Sequence, residues 1–258
     1  MQGTLNIPLL PNASPELLAQ VPPVFPEDCL IVSYPRSGNT WIRFLLANLL
    51  EDSRFPLSFQ QMEERIPAIH QKKQWGKMRS TPPPRFIKSH MPYTPDYNKV
   101  IYIVRDGRDV MVSAYNYYYF PIKISFLDFL QMDIWPGPWE EHVQSWLDNA
   151  HLLDLLLIRY EDLLEDPFQQ LKNIAHFIGL DTDDEQVDRA VRHSSFTALK
   201  KMEANNDSRL SGLPGLKFFR SGKSGQWRQY FGPEHKDVFK RQANPLLMRL
   251  GYINTADW

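Results

Sequence analysis

Short, unbroken apolar runs recur along this chain, each followed by a break and then by apolar residues at helical spacing. Leu30-Ile31-Val32 leads into Pro35 and Gly38, after which Trp41, Phe44, Leu45 and Leu49 resume at the period of a helix whose expected N-cap is Thr40. Val100-Ile-Tyr-Ile-Val104 and Leu155-Leu-Leu-Ile-Arg-Tyr160 are further runs of this kind, and Arg85-Phe-Ile-Lys-Ser-His90 is a shorter one ending in polar groups. Runs without alternation suit strands covered on both faces.

Helical spacing predicts helices at Phe59–Ile66, from Arg105-Asp-Gly-Arg-Asp109 to about Tyr119, at Phe126–Met132 and at Trp139–Asn149. Others are expected at Pro167–Gly179, with Pro at the first position and Gly at the end, at Asp184–His193 and at Pro233–Leu250. Residues 1–28 hold six prolines and read as an irregular arm; 67–84 read as a mobile loop with solvated Lys72, Lys73, Lys77 and Arg79. Residues 121–139 read as a connection and 194–227 as irregular chain. Strands alternating with helices predict a single α/β domain over 1–258, a central parallel sheet flanked by helices. Ligands then bind beyond the carboxyl ends of the strands, which selects Tyr34–Thr40, Lys88–His90, Arg105–Asp109 and Tyr160.

Composition narrows the partners. With 258 residues, 43% hydrophobic, and a net charge of −1, the chain can build a large core but carries no bulk charge for nucleic acid or an anionic membrane. Any anion site must be local. Cys29 is the only cysteine, so no internal disulfide forms, and it reads as a core residue. No leader-like N-terminus and no apolar run of about 18 residues is present, so a cytoplasmic protein without membrane insertion is expected. No zinc-like His or Cys spacing occurs, so no metal is expected.

The candidate chemistry lies at the strand ends. Strand, tight basic loop and helix over 29–50 is an arrangement that aims backbone N–H groups at an anion. Arg36, then Lys88 and His90, then Arg105 follow three successive strands. Arginine offers a planar fork to phosphate or sulfate, and lysine a movable charge. Ser113, two helical turns after Arg105, is placed to join it on a second anion, although a solvent-facing serine and an Arg105 ion pair with Asp106 or Asp109 remain open. His90 is the natural proton carrier. His70, His142, His151, His176, His193 and His235 read as surface or satisfied helix positions. A second basic region spans Lys200 to Arg228, and within it Phe218-Phe-Arg-Ser-Gly-Lys-Ser-Gly-Gln-Trp227 mixes glycines, hydroxyls and cations that suit either a phosphate-wrapping or a solvated loop.

Tyr34-Pro-Arg-Ser-Gly-Asn-Thr-Trp41 resembles the phosphosulfate-binding loop of sulfotransferases that use 3′-phosphoadenosine 5′-phosphosulfate (PAPS). Ile103-Val-Arg-Asp-Gly-Arg-Asp-Val-Met-Val-Ser113 is similar to their 3′-phosphate segment, and Arg159–Pro167 and Arg220–Trp227 match two more segments in the same order. The resemblance implies a P-loop-like sulfotransferase fold. It implies that Arg36, Ser37, Gly38, Asn39 and Thr40 hold the 5′-phosphosulfate and that Trp41 stacks on adenine. Arg105 and Ser113, helped by Arg220, Ser221 and Gly222, would bind the 3′-phosphate; Tyr160 and Phe196, with Ser194 nearby, would line the adenine site. His90 would be the general base and Lys88 a transition-state stabiliser. Tyr115, Tyr117, Tyr118, Tyr119, Phe120, Trp135 and Trp139 lie where the family shapes its acceptor pocket, favouring a small apolar or aromatic alcohol over a charged polysaccharide, while helical spacing leaves open that half of them are core. A hydroxyl is expected as acceptor before an amine.

Three positions depart from the family: Arg36, Ser221 and Arg228 stand where lysine is common. No dimerisation signature is evident after Trp227, so oligomeric state does not carry over. Two other readings are a P-loop phosphotransferase, whose Gly-x-x-x-x-Gly-Lys-Ser/Thr motif is absent from the opening loop, and a non-catalytic nucleotide-binding protein of the same fold.

Overall fold

The computed structural model describes residues 20–119, 123–206 and 217–258. Four parallel strands, β1 (Cys29–Ser33), β2 (Phe86–Ser89), β3 (Lys99–Val104) and β4 (Asp154–Arg159), lie in the order β2-β1-β3-β4. The unbroken apolar runs have a direct cause. In β1 and β3, Leu30, Val32, Val100, Tyr102 and Val104 enter one core, while Cys29, Ile31, Ile101 and Ile103 enter the other. Side chains alternate across a strand, so a sheet covered on both faces needs apolar residues at every position.

The helices divide between those two cores. On one side lie α1 (Asn39–Glu51), α2 (Phe59–Arg65), α7 (Tyr160–Glu165), α8 (Pro167–Phe177), α9 (Asp184–His193) and α10 (Phe196–Asn206). On the other lie α3 (Trp75–Ser80), α4 (Gly107–Ala114), α5 (Phe126–Leu130), α6 (Trp139–Asp148) and α11 (Pro233–Arg249). No helix among the described residues is long and apolar enough to cross a membrane.

Several boundaries differ from the sequence expectation. The stretch 67–84 is not all loop: Lys72–Gln74 forms a 3₁₀ turn and α3 follows, because Trp75 and Met78, three apart, both reach the core. Its four basic residues are exposed, as expected. The stretch from 194 contains α10, anchored by buried Leu199 beneath a charged exterior that hid its periodicity. Past α4 the chain continues as a π turn over Tyr115–Tyr119. Helix α1 starts at Asn39 behind Gly38 rather than at Thr40, and Tyr160 opens α7 instead of closing β4. Residues 1–19 of the expected arm lie outside the described residues.

The outer side of β2 is not bare. Lys88 N–H donates to the Pro67 carbonyl at 2.8 Å, and its own carbonyl accepts from Ile69 N–H at 2.9 Å, forming a parallel bridge to Ala68. Below β2, buried Asp28 accepts from Arg85 at its backbone N–H (2.9 Å), Nε (3.0 Å) and Nη2 (2.5 Å). Arg85 also donates to the Met78 and Pro23 carbonyls, both at 2.7 Å, so one fully bonded ion pair ties the entry of β1 to the entry of β2.

Candidate active site

The strand order reverses direction between β1 and β3, which opens a crevice at their carboxyl ends. A cavity of about 870 Å³ lies there. Its floor is the turn from β1 into α1, where Arg36 (φ 70°) and Gly38 (φ 103°) both adopt left-handed conformations. At Gly38 a Cβ would also stand 2.6 Å from the Tyr160 ring, so glycine is required twice over. The first turn of α1 has neither an acidic residue nor a side-chain cap, leaving its free N–H groups and dipole for an outside anion. Asn39 turns back instead, donating to the Ile31 carbonyl at 3.0 Å and Ser33 Oγ at 3.3 Å, which fixes the turn on β1. Ser37 Oγ and Asn39 Oδ1 are buried with no partner among the described residues. Of the two, only Asn39 lines the cavity, where a bound group reaches it.

Arg105, at the end of β3, donates to the Arg36 carbonyl at 3.1 Å and the Lys223 carbonyl at 3.0 Å. Its guanidinium lies 4.4 Å over the Tyr160 ring, and its Nε is buried without a partner. The acids beside it are committed elsewhere: Asp106 pairs with Arg108 at 2.7 Å, and Asp109 accepts from Gly225 N–H (2.5 Å) and Trp227 N–H (2.9 Å). The ion-pair alternative for Arg105 is thereby removed. Asp109 fastens the late basic segment over the cavity, a role its place in the sequence did not reveal. In that segment Arg220 and Ser221 both donate to Gln226 Oε1, at 2.6 and 2.9 Å. Gly222 (φ 61°) presses on Phe196 so closely that a Cβ would stand 2.5 Å from the ring.

Arg36 and Ser113, expected at opposite anion ends, meet. Arg36 Nε donates to Ser113 Oγ at 3.2 Å and Nη2 to the Phe218 carbonyl at 3.3 Å. The guanidinium is sandwiched between Tyr117 (4.2 Å) and Phe218 (4.7 Å). Thr40, Trp41, Tyr160 and Phe196 all line the cavity. Trp41 is edge-on to Tyr160 at 6.0 Å and donates its indole N–H to the Ser194 carbonyl at 2.9 Å. Ser194 itself does not line the cavity, as its buried hydroxyl accepts from Asn48 at 3.1 Å. Ser37 also lies behind the lining.

At the β2 end of the same cavity stand Lys88 and His90. His90 Nδ1 lies 2.6 Å from the Ser33 carbonyl, so Nδ1 carries the proton and donates it, leaving the Nε2 lone pair free to act as a base. Burial first, and then the Lys88 charge, hold the imidazole well below its usual pKa. Burial, with Arg43 adding repulsion, pulls Lys88 down to about 7. Two histidines that read as surface or satisfied helix positions lie buried against this pair, and His142 is a satisfied position on α6. His142, held neutral by burial at about 4, is 3.2 Å from the His90 carbonyl and 3.1 Å from Tyr102 OH. His70 stacks on His90 with ring centroids 5.4 Å apart.

Of the expected aromatic wall, Tyr117 and Tyr118 line the cavity and Trp135 stands edge-on to His90 at 6.1 Å. Tyr115 packs on Phe126 at 5.1 Å. Trp139 is buried core against Gly107. Tyr119 ends the π turn, and Phe120 lies outside the described residues.

A parallel α/β sheet whose cavity holds an uncapped helix N-terminus, Arg36, Arg105, Lys88 and the His90 imidazole has the makings of a group-transfer site for anions. The sequence signature of the sulfotransferase domain matches residues 26–251, and the chain belongs to that family. Sulfotransferase 1A1 of Canis lupus familiaris is 32% identical over 244 residues, covering 83% of this chain and 81% of that protein. The 3-beta-hydroxysteroid sulfotransferase of Cavia porcellus is 31% identical over 254 residues, covering 88% and 87%. Among solved structures, mouse sulfotransferase SULT7A1 complexed with PAP superposes with a TM-score of 0.70 at 26% identity, covering 93% of this chain and 94% of that one. Retinol dehydratase in complex with androsterone and PAP gives the same TM-score, 26% identity, and 87% and 82% coverage.

Proposed function

We propose that this sulfotransferase moves a sulfuryl group from PAPS to a hydroxyl of a small acceptor by in-line displacement, with His90 as general base. The single observation that carries this reading is the Nδ1–Ser33 carbonyl bond, which leaves His90 Nε2 unprotonated in the cavity that also holds Lys88 and the α1 N-terminus. Binding of PAP by two structural neighbours supports the choice of donor.

In this reading the α1 amides, Thr40 and Arg36 take the phosphosulfate, while Arg105, Ser113, Arg220, Ser221 and Gly222 take the 3′-phosphate. Trp41, Tyr160 and Phe196 hold the adenine. His90 Nε2 accepts the acceptor's hydroxyl proton as its oxygen forms a bond to sulfur and the sulfur–oxygen bond to the nucleotide phosphate breaks. Lys88, as a cation, offsets charge on the sulfuryl oxygens and the departing phosphate. Alignment and electrostatics supply most of the acceleration, as in phosphoryl transfer.

Incubation with labelled PAPS and pooled candidate acceptors, read by mass spectrometry, tests the proposal. A product heavier by one sulfate is expected. Tight PAP binding with no product from any pool would leave a non-catalytic nucleotide-binding protein instead.

A further inference from the structure

His70 belongs to no element that the proposed transfer uses, yet it lies against the base. Its position follows from register. The segment 67–69 runs parallel to β2, with Ala68 bridged to Lys88. Two residues further on, His70 and His90 fall side by side on one face, and their rings stack at 5.4 Å with 30° between planes. Trp135 closes the same corner, 5.9 Å from His70 and 6.1 Å from His90.

The two imidazoles differ in the hydrogen-bonding character they can offer a ligand. His90 gives its Nδ1 proton to Ser33 and exposes a lone pair. His70 lines the cavity, is only 7% exposed, and its Nδ1 is sealed from solvent with no partner among the described residues. A buried lone pair without a donor is better tolerated than a buried N–H without an acceptor, which puts the His70 proton on Nε2. Burial, followed by the charge on Lys88, keeps the ring neutral, so it has one N–H to give. The sealed Nδ1 leaves Nε2 as the nitrogen through which it can bond a ligand.

We propose that His70 is a specificity-determining residue that donates a hydrogen bond to a second oxygen next to the nucleophilic hydroxyl, selecting vicinal two-oxygen acceptors such as catechols and 1,2-diols. The inference rests on the sulfuryl-transfer reading of this cavity and names its acceptor class. Glu63 and Gln71, polar side chains lining the cavity, are in keeping with an acceptor of more than one polar group.

The test compares two matched probe pairs, a substituted catechol against the phenol lacking one oxygen and a 1,2-diol against the corresponding alcohol. Wild type, His70→Phe and His70→Gln are measured for kcat/KM and, by calorimetry, for acceptor binding to the enzyme–PAP complex. Wild type should favour the two-oxygen member of at least one pair. His70→Phe should lose that discrimination by about 5–10-fold, the scale of one hydrogen bond, chiefly through KM. His70→Gln, whose amide N–H stands near the place of Nε2, should restore part of it. PAP affinity in all three reports whether the donor end is intact. If wild type binds PAP and the probes but turns none over, the transfer reading falls while the binding arm still measures His70. Equal losses on both members of each pair, no rescue by glutamine, or no binding of either two-oxygen probe would overturn the assignment.

Discussion

His90 and Ser33 are joined side chain to backbone across 2.6 Å, so the end of β1 sets the tautomer of the imidazole that follows β2, the proposed base. His90→Ala should therefore lower kcat about 10²–10⁴-fold while PAP still binds. His90→Asn should lose as much, because its amide can keep the Ser33 bond but offers no base. Single-turnover kinetics beside calorimetry separates the two effects, and full turnover by the alanine variant would remove His90 from the role.

Lys88 gives a pH signature. The folded chain releases this proton near 7, whereas an unfolded chain holds it to about 10.4. Between those values the unfolded state binds more protons, so this residue makes stability rise with pH; below 7 both states are charged and the slope vanishes. The stability advantage of Lys88→Met over wild type should accordingly shrink as pH rises from 7 to 10, measured by urea unfolding. Activity should move the other way, with kcat/KM falling above about 7 as the cation is lost.

Gly38 is fixed by backbone conformation and by contact. Gly38→Ala would place a methyl 2.6 Å from the Tyr160 ring at a φ of 103°. The expected cost is about 1–3 kcal/mol of stability, seen as a lower urea midpoint, with weaker PAP binding.

Arg105 ties two loops together and keeps a buried Nε without a partner among the described residues. Arg105→Ala should weaken PAP about 10–100-fold, the scale of one or two charge-assisted bonds. Hydrogen exchange should also rise at residues 218–227, since the Lys223 carbonyl loses its donor.

The buried Asp28–Arg85 pair predicts an asymmetric result. Arg85→Met strands a buried carboxylate and should destabilise by about 3–5 kcal/mol; replacing both partners with apolar residues should cost less. Thermal unfolding of the single and double variants decides this.

The sheet and the polar residues at its strand ends are legible in the sequence because their causes are local. Leu30–Val32 and Val100–Val104 are apolar at every position, and Arg36, Lys88, His90 and Arg105 follow directly on or within strands. What escaped depends on distant register. His70 sits in a polar stretch, and only the Ala68–Lys88 bridge brings it to His90. His142 sits on a helix, where nothing nearby reveals its bond to the His90 carbonyl. The resemblance puts Ser194 near adenine; its carbonyl does hold Trp41, while Asn48, 146 residues earlier, takes its hydroxyl. Asp109 looked like a partner for Arg105 until two N–H groups of the late segment took its oxygens.

The strand order has a consequence for redesign. On the proposed reading the donor end hangs from β1 and β3, the two inner strands, whose residues are locked by neighbours on every side. The end read as the acceptor's leans on β2, whose outer flank, among the described residues, is finished by the short bridge at residues 67–69. Grafting different chain into 67–74 would thus exchange the wall seen by the acceptor while the deep fittings for the donor stay untouched. The molecule is divided like a tool with a fixed handle and a replaceable bit, and the join runs along the outer side of one strand.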